Sequence, residues 1–328
     1  MTTLLDVARQ AGVSPATVSR VLNGNTAVSV DMREKVLECA GQLGYRPNPM
    51  AQGLRKGQSN TVALLVGDIA QRHFAELTLH VQSALEAIDV DLQLFNLGHS
   101  PDRLTEFVSR APSMKLRGVV LAVSDKIHRD VLGALAALRE LGLTVVSIGQ
   151  DLTRHGIASI AHDERAAAQR AVTYLIEQGR RRIAYIGNIR NSAIGTERFR
   201  GYLAALRAAD AYDETLVWDM TYRYAAGRDA VLRALDRSIS FTGIQAGSDE
   251  IAVGAMAALR DRGLAVPQDV AVVGFGDIEM GAYLRPALTT LSSHPDVAAR
   301  HLCDFFASDD PPAELRLMQR TLVERDSA

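Results

Sequence analysis

Apolar positions at the start of the chain recur with helical spacing. Leu4, Val7, Ala8 and Ala11 form one stripe, opened by the capping-box-like pair Thr3 and Asp6 and closed by Gly12, which can take the left-handed conformation that ends a helix. A second helix is predicted from a Ser14 cap and Pro15 at its first position, running to Leu22 with Val18, Val21 and Leu22 inward, until Asn23-Gly24-Asn25 stops it. A third starts at a Ser29 cap and presents Met32, Val36, Leu37, Ala40 and Leu43 inward; Gly41 weakens it and Gly44 ends it. Pro47 and Pro49 then forbid helix continuation. Met50–Lys56 has room for about two helical turns, too few to be stable alone, and Gly57-Gln58-Ser59-Asn60 reads as a polar linker.

From Thr61 the pattern changes. Short apolar, β-rich runs recur at Val62–Val66, Leu92–Phe95, Gly118–Val123, Thr144–Ile148, Ile183–Ile186, Gly243–Ala246 and Val270–Val273. Amphipathic stretches of helical length separate them, among them Phe74–Ile88, Val131–Leu141, Ala166–Gln178, Arg198–Ala209 and Ile251–Arg262. Apolar strands alternating with helices predict parallel sheets covered on both faces. There are too many units for one ordinary sheet, so two α/β lobes are expected. Asp309-Asp310-Pro311-Pro312 reads as a surface loop.

With 328 residues, the chain has room for two or three domains. No apolar run has the length of a membrane span, so no membrane partner is expected. The first residues carry no basic stretch followed by an apolar one, which argues against a secretory signal and for a cytoplasmic protein. Cys39 and Cys303 are then expected to be reduced and to act as small buried hydrophobes. The net charge of −2 hides a division: residues 1–58 carry +3 and the remainder −5. A basic head on an acidic body suits contact with a polyanion through the head alone.

Two helices joined by a tight turn, the second with a polar outward face at its N-terminal end, follow the helix-turn-helix plan, in which that helix enters the major groove. Pro15, Ala16, Thr17, Ser19 and Arg20 point outward on it. Arg20 can donate two hydrogen bonds to a guanine edge, and Pro15 and Ala16 can meet a thymine methyl. Thr3, Thr17, Ser19, Ser29 and Tyr45 are of the types that contact phosphates and fix register, and Ser14 and Asn23 are DNA-binding candidates beside them. Spacing alone equally allows a small three-helix bundle with a surface arginine.

The runs Leu5-Asp6-Val7-Ala8, Ala11-Gly12-Val13-Ser14, Thr17-Val18-Ser19-Arg20-Val21-Leu22-Asn23-Gly24 and Gly44-Tyr45-Arg46-Pro47-Asn48 resemble, densely and without gaps, the DNA-binding signature of the lactose/purine repressor (LacI) family. The resemblance extends through Gly201-Tyr202, Ser248–Gly254, Val266–Val270, Pro286–Thr290 and Leu322–Arg325, and so covers essentially the whole chain. It implies an all-α helix-turn-helix headpiece over residues 1–47 and a hinge helix and linker over 48–60. It also implies a core over 61–328 of type I periplasmic-binding-protein form, with parallel sheets in two lobes of about 61–160 plus 291–318 and about 161–290 plus 319–328. The function implied is that of a transcription regulator, usually a repressor. A homodimer would hold a near-palindromic double-stranded DNA operator, and a small-molecule effector would bind between the lobes. Leu54 would wedge into the minor groove with Arg55 beside it, in line with the general use of apolar wedges to kink DNA. Gly53 departs from the serine or alanine usual there.

Carried over by position, the effector candidates are Asp68, His73, Phe74, Ser124, His162, Arg198, Tyr222, Asp249, Gly276 and Asp277. Arg198 matches the family's effector arginine, and its fork suits a carboxylate or paired hydroxyls. Phe74 and Tyr222 can stack on a ligand or simply fill core; His73 and His162 can be donors or packing residues; Asp249 can cap the helix predicted from Ile251. Where the family commonly has an aspartate, this chain has Gly276. That loss, with His73, His162 and Arg198 nearby, predicts a less acidic cleft and favours an anionic effector such as a sugar acid, unless Asp277 supplies the carboxylate instead.

An enzyme is not expected. Gly274-Phe275-Gly276 lacks the third glycine at dinucleotide-site spacing, and no phosphate loop, nucleophile elbow or HExxH zinc pair occurs. His162-Asp163-Glu164 reads as a loop-to-helix start. No cofactor and no metal site are predicted.

Overall fold

The computed structural model describes residues 2–22, 28–45, 59–308 and 311–328. The chain divides into two compact units, Met1–Asn60 and Thr61–Ala328. Asn23 and the hinge residues Met50–Lys56, with Gly53, Leu54 and Arg55, lie outside the described residues.

The first unit holds α1 (Leu4–Ala11), α2 (Pro15–Leu22) and α3 (Val30–Gln42). Thr3 and Asp6 form a complete capping box, so two otherwise orphaned N–H groups are satisfied reciprocally. Gly12, at φ 65°, sends its own N–H back to the carbonyls of Ala8 and Arg9 and turns the chain into α2. Ser14 Oγ accepts the Thr17 N–H at 3.1 Å. Val7, Ala8, Ala11, Val18, Val21, Val36, Cys39 and Ala40 make the core. Two expectations fail here. Ser29 precedes α3 but makes no side-chain cap, and Leu37 is 49% exposed, because Val36 and Ala40 already fill the inward face of α3.

The second unit contains two lobes. The first has a six-stranded sheet in the order β2 (Asp91–Asn96), β1 (Thr61–Val66), β3 (Gly118–Ala122), β4 (Thr144–Ile148), β5 (Ala158–His162) and β11 (Leu315–Met318). Every pairing is parallel. Residues alternate between its faces. Val62, Leu64 and Val66 pack against α4 (Arg72–Glu86) and α12 (Pro295–Phe306), while Ala63 and Leu65 face α5 (Pro101–Arg110) and α6 (Arg129–Glu140).

The second lobe repeats the scheme on a four-stranded parallel sheet, β7 (Val217–Asp219), β6 (Ile183–Gly187), β8 (Gly243–Ala246) and β9 (Ala271–Val273). Ile183 and Tyr185 face α7 (Glu164–Glu177) and α8 (Ala193–Ala208), and Ala184 and Ile186 face α9 (Tyr224–Asp236) and α10 (Asp249–Asp261). A short α11 (Met280–Tyr283) follows β9, and an antiparallel pair, β10 (Thr290–Ser292) with β12 (Thr321–Val323), completes the lobe. The chain crosses between lobes after β5, after β10 and after β11. Both cysteines are free thiols; Cys39 is buried and Cys303 only half-buried.

Candidate nucleic-acid interface and effector cavity

On α2 the exposed residues are Pro15, Ala16 and Arg20, with Thr17 and Ser19 half-buried beside them. Ser14 and Thr17 share a hydroxyl contact of 2.9 Å, and the Thr3 hydroxyl donates to Asp6 at 2.7 Å. Those hydroxyls therefore shape the turn as well as facing outward. Ser29 is exposed, and half-buried Tyr45 packs against the three-helix core.

In the second unit a cavity of about 80 Å³ lies between the lobes, at the C-terminal ends of β3, β4, β5, β8 and β9. That is where open parallel sheets offer a crevice for ligands. Its wall includes Phe74, Ile148, Ile194, Tyr222 and Phe275 as apolar surface. The polar part is built on a buried ion triad. Glu164 receives Arg198 Nε at 2.8 Å and Nη2 at 3.2 Å, and Arg320 Nε at 3.1 Å and Nη2 at 2.7 Å. Arg198 Nη1 donates to the Gly247 carbonyl at 2.6 Å. The Phe275 ring lies under both guanidiniums, 4.1 Å from that of Arg198 and 4.9 Å from that of Arg320.

Contacts between lobes surround the cavity. The Ser192 hydroxyl and the Ala193 N–H both donate to the Ser124 carbonyl, at 3.0 and 2.8 Å. Glu250 accepts the Arg72 N–H at 2.9 Å, and Asp68 pairs with Arg223.

The family described as bacterial regulatory proteins, lacI family, matches residues 3–48, and the periplasmic binding protein-like domain matches 172–328. The HTH-type transcriptional regulator GalR of Escherichia coli (strain K12) is 32% identical over 333 residues, spanning 100% of this chain and 96% of that protein. The chain belongs to the lacI family. The regulator AscG of Escherichia coli (strain K12) is 32% identical over 298 residues, covering 89% of this chain and 87% of that one. Among solved structures, the complex of the transcriptional regulator CelR with cellobiose is 31% identical, with full coverage of both chains and a TM-score of 0.72. The lac repressor dimer bound to operator and the anti-inducer ONPF, at 23% identity, has a TM-score of 0.89 over 99% of this chain and 98% of that one, a likeness of fold. This chain is thus a DNA-binding transcription regulator, and its relatives are regulators rather than enzymes.

Of the residues the sequence singles out for a lacI-family cleft, His73, Phe74, Ser124, His162, Arg198, Tyr222, Asp249 and Gly276 line the cavity. Asp68 and Asp277 do not. The Asp68 carboxylate is taken by Arg223 and by the Ala70 N–H, and that of Asp277 by Arg325 at 2.7 Å. The expectation that Asp277 replaces the carboxylate missing at Gly276 is therefore corrected, since the side chain is drawn away to Arg325. Gly276 has φ 142°, a conformation favouring glycine, and a Cβ there would sit 3.3 Å from Asp249 Oδ2. Asp249 is not the helix cap either. Ser248 caps α10, and Asp249 instead accepts the Ile278 N–H at 2.8 Å and the Thr290 hydroxyl at 2.5 Å. Burial pushes its carboxyl up despite those bonds.

The sequence reading missed Glu164 and Arg320, and with them the charge layout. Burial alone would raise the Glu164 carboxyl, but the two arginines outweigh it and hold it well below the usual carboxylate range. His73 is pushed down to about 3 by burial and by the charges of Arg320 and Arg198. His162, burial again leading and Arg320 adding to it, falls to about 4. Both imidazoles are neutral at physiological pH, and His162 Nε2 donates to the Ser293 carbonyl at 2.8 Å. Histidine charge therefore does not make the cavity cationic. Among the described residues no cluster of His, Cys, Asp and Glu could hold a metal ion, and no helix is long and apolar enough to cross a membrane.

Proposed function

We propose that this regulator is a repressor whose operator affinity is set by a sugar or sugar acid held between the core lobes. In this reading residues 1–47 bind DNA, 48–60 form the hinge, and two copies of the chain sit on a near-palindromic site. Arg20 reads a guanine, Pro15 and Ala16 touch thymine methyls, and Thr3, Ser14, Thr17, Ser19, Asn23, Ser29 and Tyr45 set register on phosphates. Leu54 and Arg55 engage the minor groove.

The observation that carries the reading is the enclosed, partly polar cavity walled by residues of both lobes. A ligand there touches both lobes at once, so it binds differently to their two dispositions, the condition for shifting an equilibrium. The cellobiose complex of a 31% identical regulator supports a carbohydrate-like effector. The test is operator affinity of the full chain on a selected duplex, at fixed salt, with and without sugars and their acids. The expected result is a ligand-dependent loss of affinity in the parent. Leu54→Ala is expected to lose most specific affinity, since it removes the wedge. A Leu54→Ala variant that binds like the parent rules out hinge insertion, and operator affinity indifferent to every ligand rules out the regulatory reading.

A further inference from the structure

Two residues that line the cavity each carry a buried polar atom without a partner, Arg320 Nη1 and Ser124 Oγ. The Arg320 side chain is only 3% exposed, and leaving a guanidinium N–H unsatisfied in such a place is costly. We propose that Arg320 is the seat of an effector carboxylate, so that the ligand is a hydroxylated carboxylic acid, with Ser124 meeting one of its hydroxyls. The proposal rests on the reading of this cavity as the effector site and names the class of ligand.

The charge layout supports it. Arg198 and Arg320 share one carboxylate, Glu164, at the base of the cavity. Each guanidinium nitrogen of Arg198 has a partner, Nε and Nη2 in Glu164 and Nη1 in the Gly247 carbonyl. Arg320 spends Nε and Nη2 on Glu164, leaving the Nη1 edge. The cavity's other carboxylates do not close the balance. Asp249 is bonded to Ile278 and Thr290 and reaches Arg320 only as a weaker field, while Glu250 accepts the Arg72 N–H. Burial pulls the Arg320 guanidinium down from its ordinary range, with Glu164 opposing. The surplus positive charge also bears on His73 and His162, whose protonation both arginines disfavour. The cavity is thus polarised, with a cationic end at Arg320 and hydroxyl-accepting groups at Asp249 and Ser124. A carboxylate, with one negative charge in a plane, matches one remaining guanidinium edge; a phosphate dianion carries more charge than the surplus.

Arg320 also lies on the crossover between β11 and β12, and Glu164 just beyond the one after β5. An acid seated there lies against two of the connections between the lobes.

The experiment measures thermal shift and calorimetric affinity for the full chain with D-glucuronate, D-galacturonate and D-gluconate, against D-glucose, D-galactose and glucose 6-phosphate. The variants are Arg320→Gln and Arg320→Lys; the lysine keeps a charge for Glu164 if the glutamine fails to fold. At least one acid is expected to bind the parent about tenfold or more tighter than its neutral counterpart, and Arg320→Lys is expected to weaken that acid by about 10- to 100-fold. Neutral sugars or the phosphate binding as well as the acids, an acid binding undiminished in both variants, or no acid binding at all each overturns the proposal. Neutral sugars that bind as well as the acids and alter operator affinity would sink the carboxylate seat while leaving the regulatory reading intact. Acids that bind through Arg320 without changing operator affinity would do the reverse.

Discussion

The helix-turn-helix unit and the core cavity put arginine to opposite uses. Arg20 stands exposed on α2, over a small core made largely of alanine and valine. Arg198 and Arg320 are buried against Glu164 and stacked on Phe275. An exposed arginine stays hydrated until a partner arrives, so it adds recognition at almost no cost to folding. A buried one must be neutralised within the fold, so binding and stability become the same interaction. What separates the two regions is desolvation, since the residue type is shared.

The sharpest way to break this comparison is Glu164→Gln, which leaves two buried guanidiniums without a counter-charge. A loss of about 3–5 kcal/mol in unfolding free energy is expected. The chain's single tryptophan, Trp218 on β7, reports it in a urea titration. A loss below about 1 kcal/mol would mean that the triad is not a structural keystone. Next in size is Arg20→Ala. It is expected to cost about 1–3 kcal/mol of operator affinity per half-site and to relax preference at one base pair, with stability changed by less than about 0.5 kcal/mol. Equal losses on unrelated duplexes would reduce Arg20 to a phosphate contact.

The smallest effect concerns pH. His73 and His162 are held near 3 and 4 in the folded chain and have an ordinary value of 6.5 when unfolded. Protonation therefore favours the unfolded state, so stability is intact above the ordinary value and is lost as pH falls below it. Between pH 7 and 5 about 1–2 kcal/mol per imidazole should disappear. Asp249 and Glu250, raised by burial, titrate in the opposite sense. The comparison is therefore made with a His73→Asn/His162→Asn double variant, whose stability should depend less steeply on pH. Equal slopes in the two proteins would show that the imidazoles protonate freely in place.

How far the sequence can be read differs between the two regions for the same reason. The capping box at Thr3, the left-handed Gly12 and the strands Thr144–Ile148 and Gly243–Ala246 are local patterns, and they are legible. β5 is built largely of small residues, and β7, β10 and β12 span only three residues each. Their pairing comes from tertiary contacts, Thr290 with Val323 for example, and no periodicity signals it. The cavity divides in the same way. Residues at strand ends were recoverable by position, whereas Glu164 and Arg320 meet across 156 positions through two separate crossovers. The one available signal is a charged residue two positions beyond the end of a short strand in each case: Glu164 after His162, and Arg320 after Met318.

The placement of that pair bears on how this regulator could acquire a new specificity. Exchanging the ligand of most binding proteins requires only a remodelled wall. Here the residues that set the charge of the wall are also the fasteners of two lobe connections. Any substitution that retunes the recognised chemistry therefore alters the stiffness of the joint as well. Selection, natural or in the laboratory, would have to alter the message and its transmission in the same step. New effectors should come more readily through changes at Ser124, Ile148 or Ile194, which line the cavity from outside that joint.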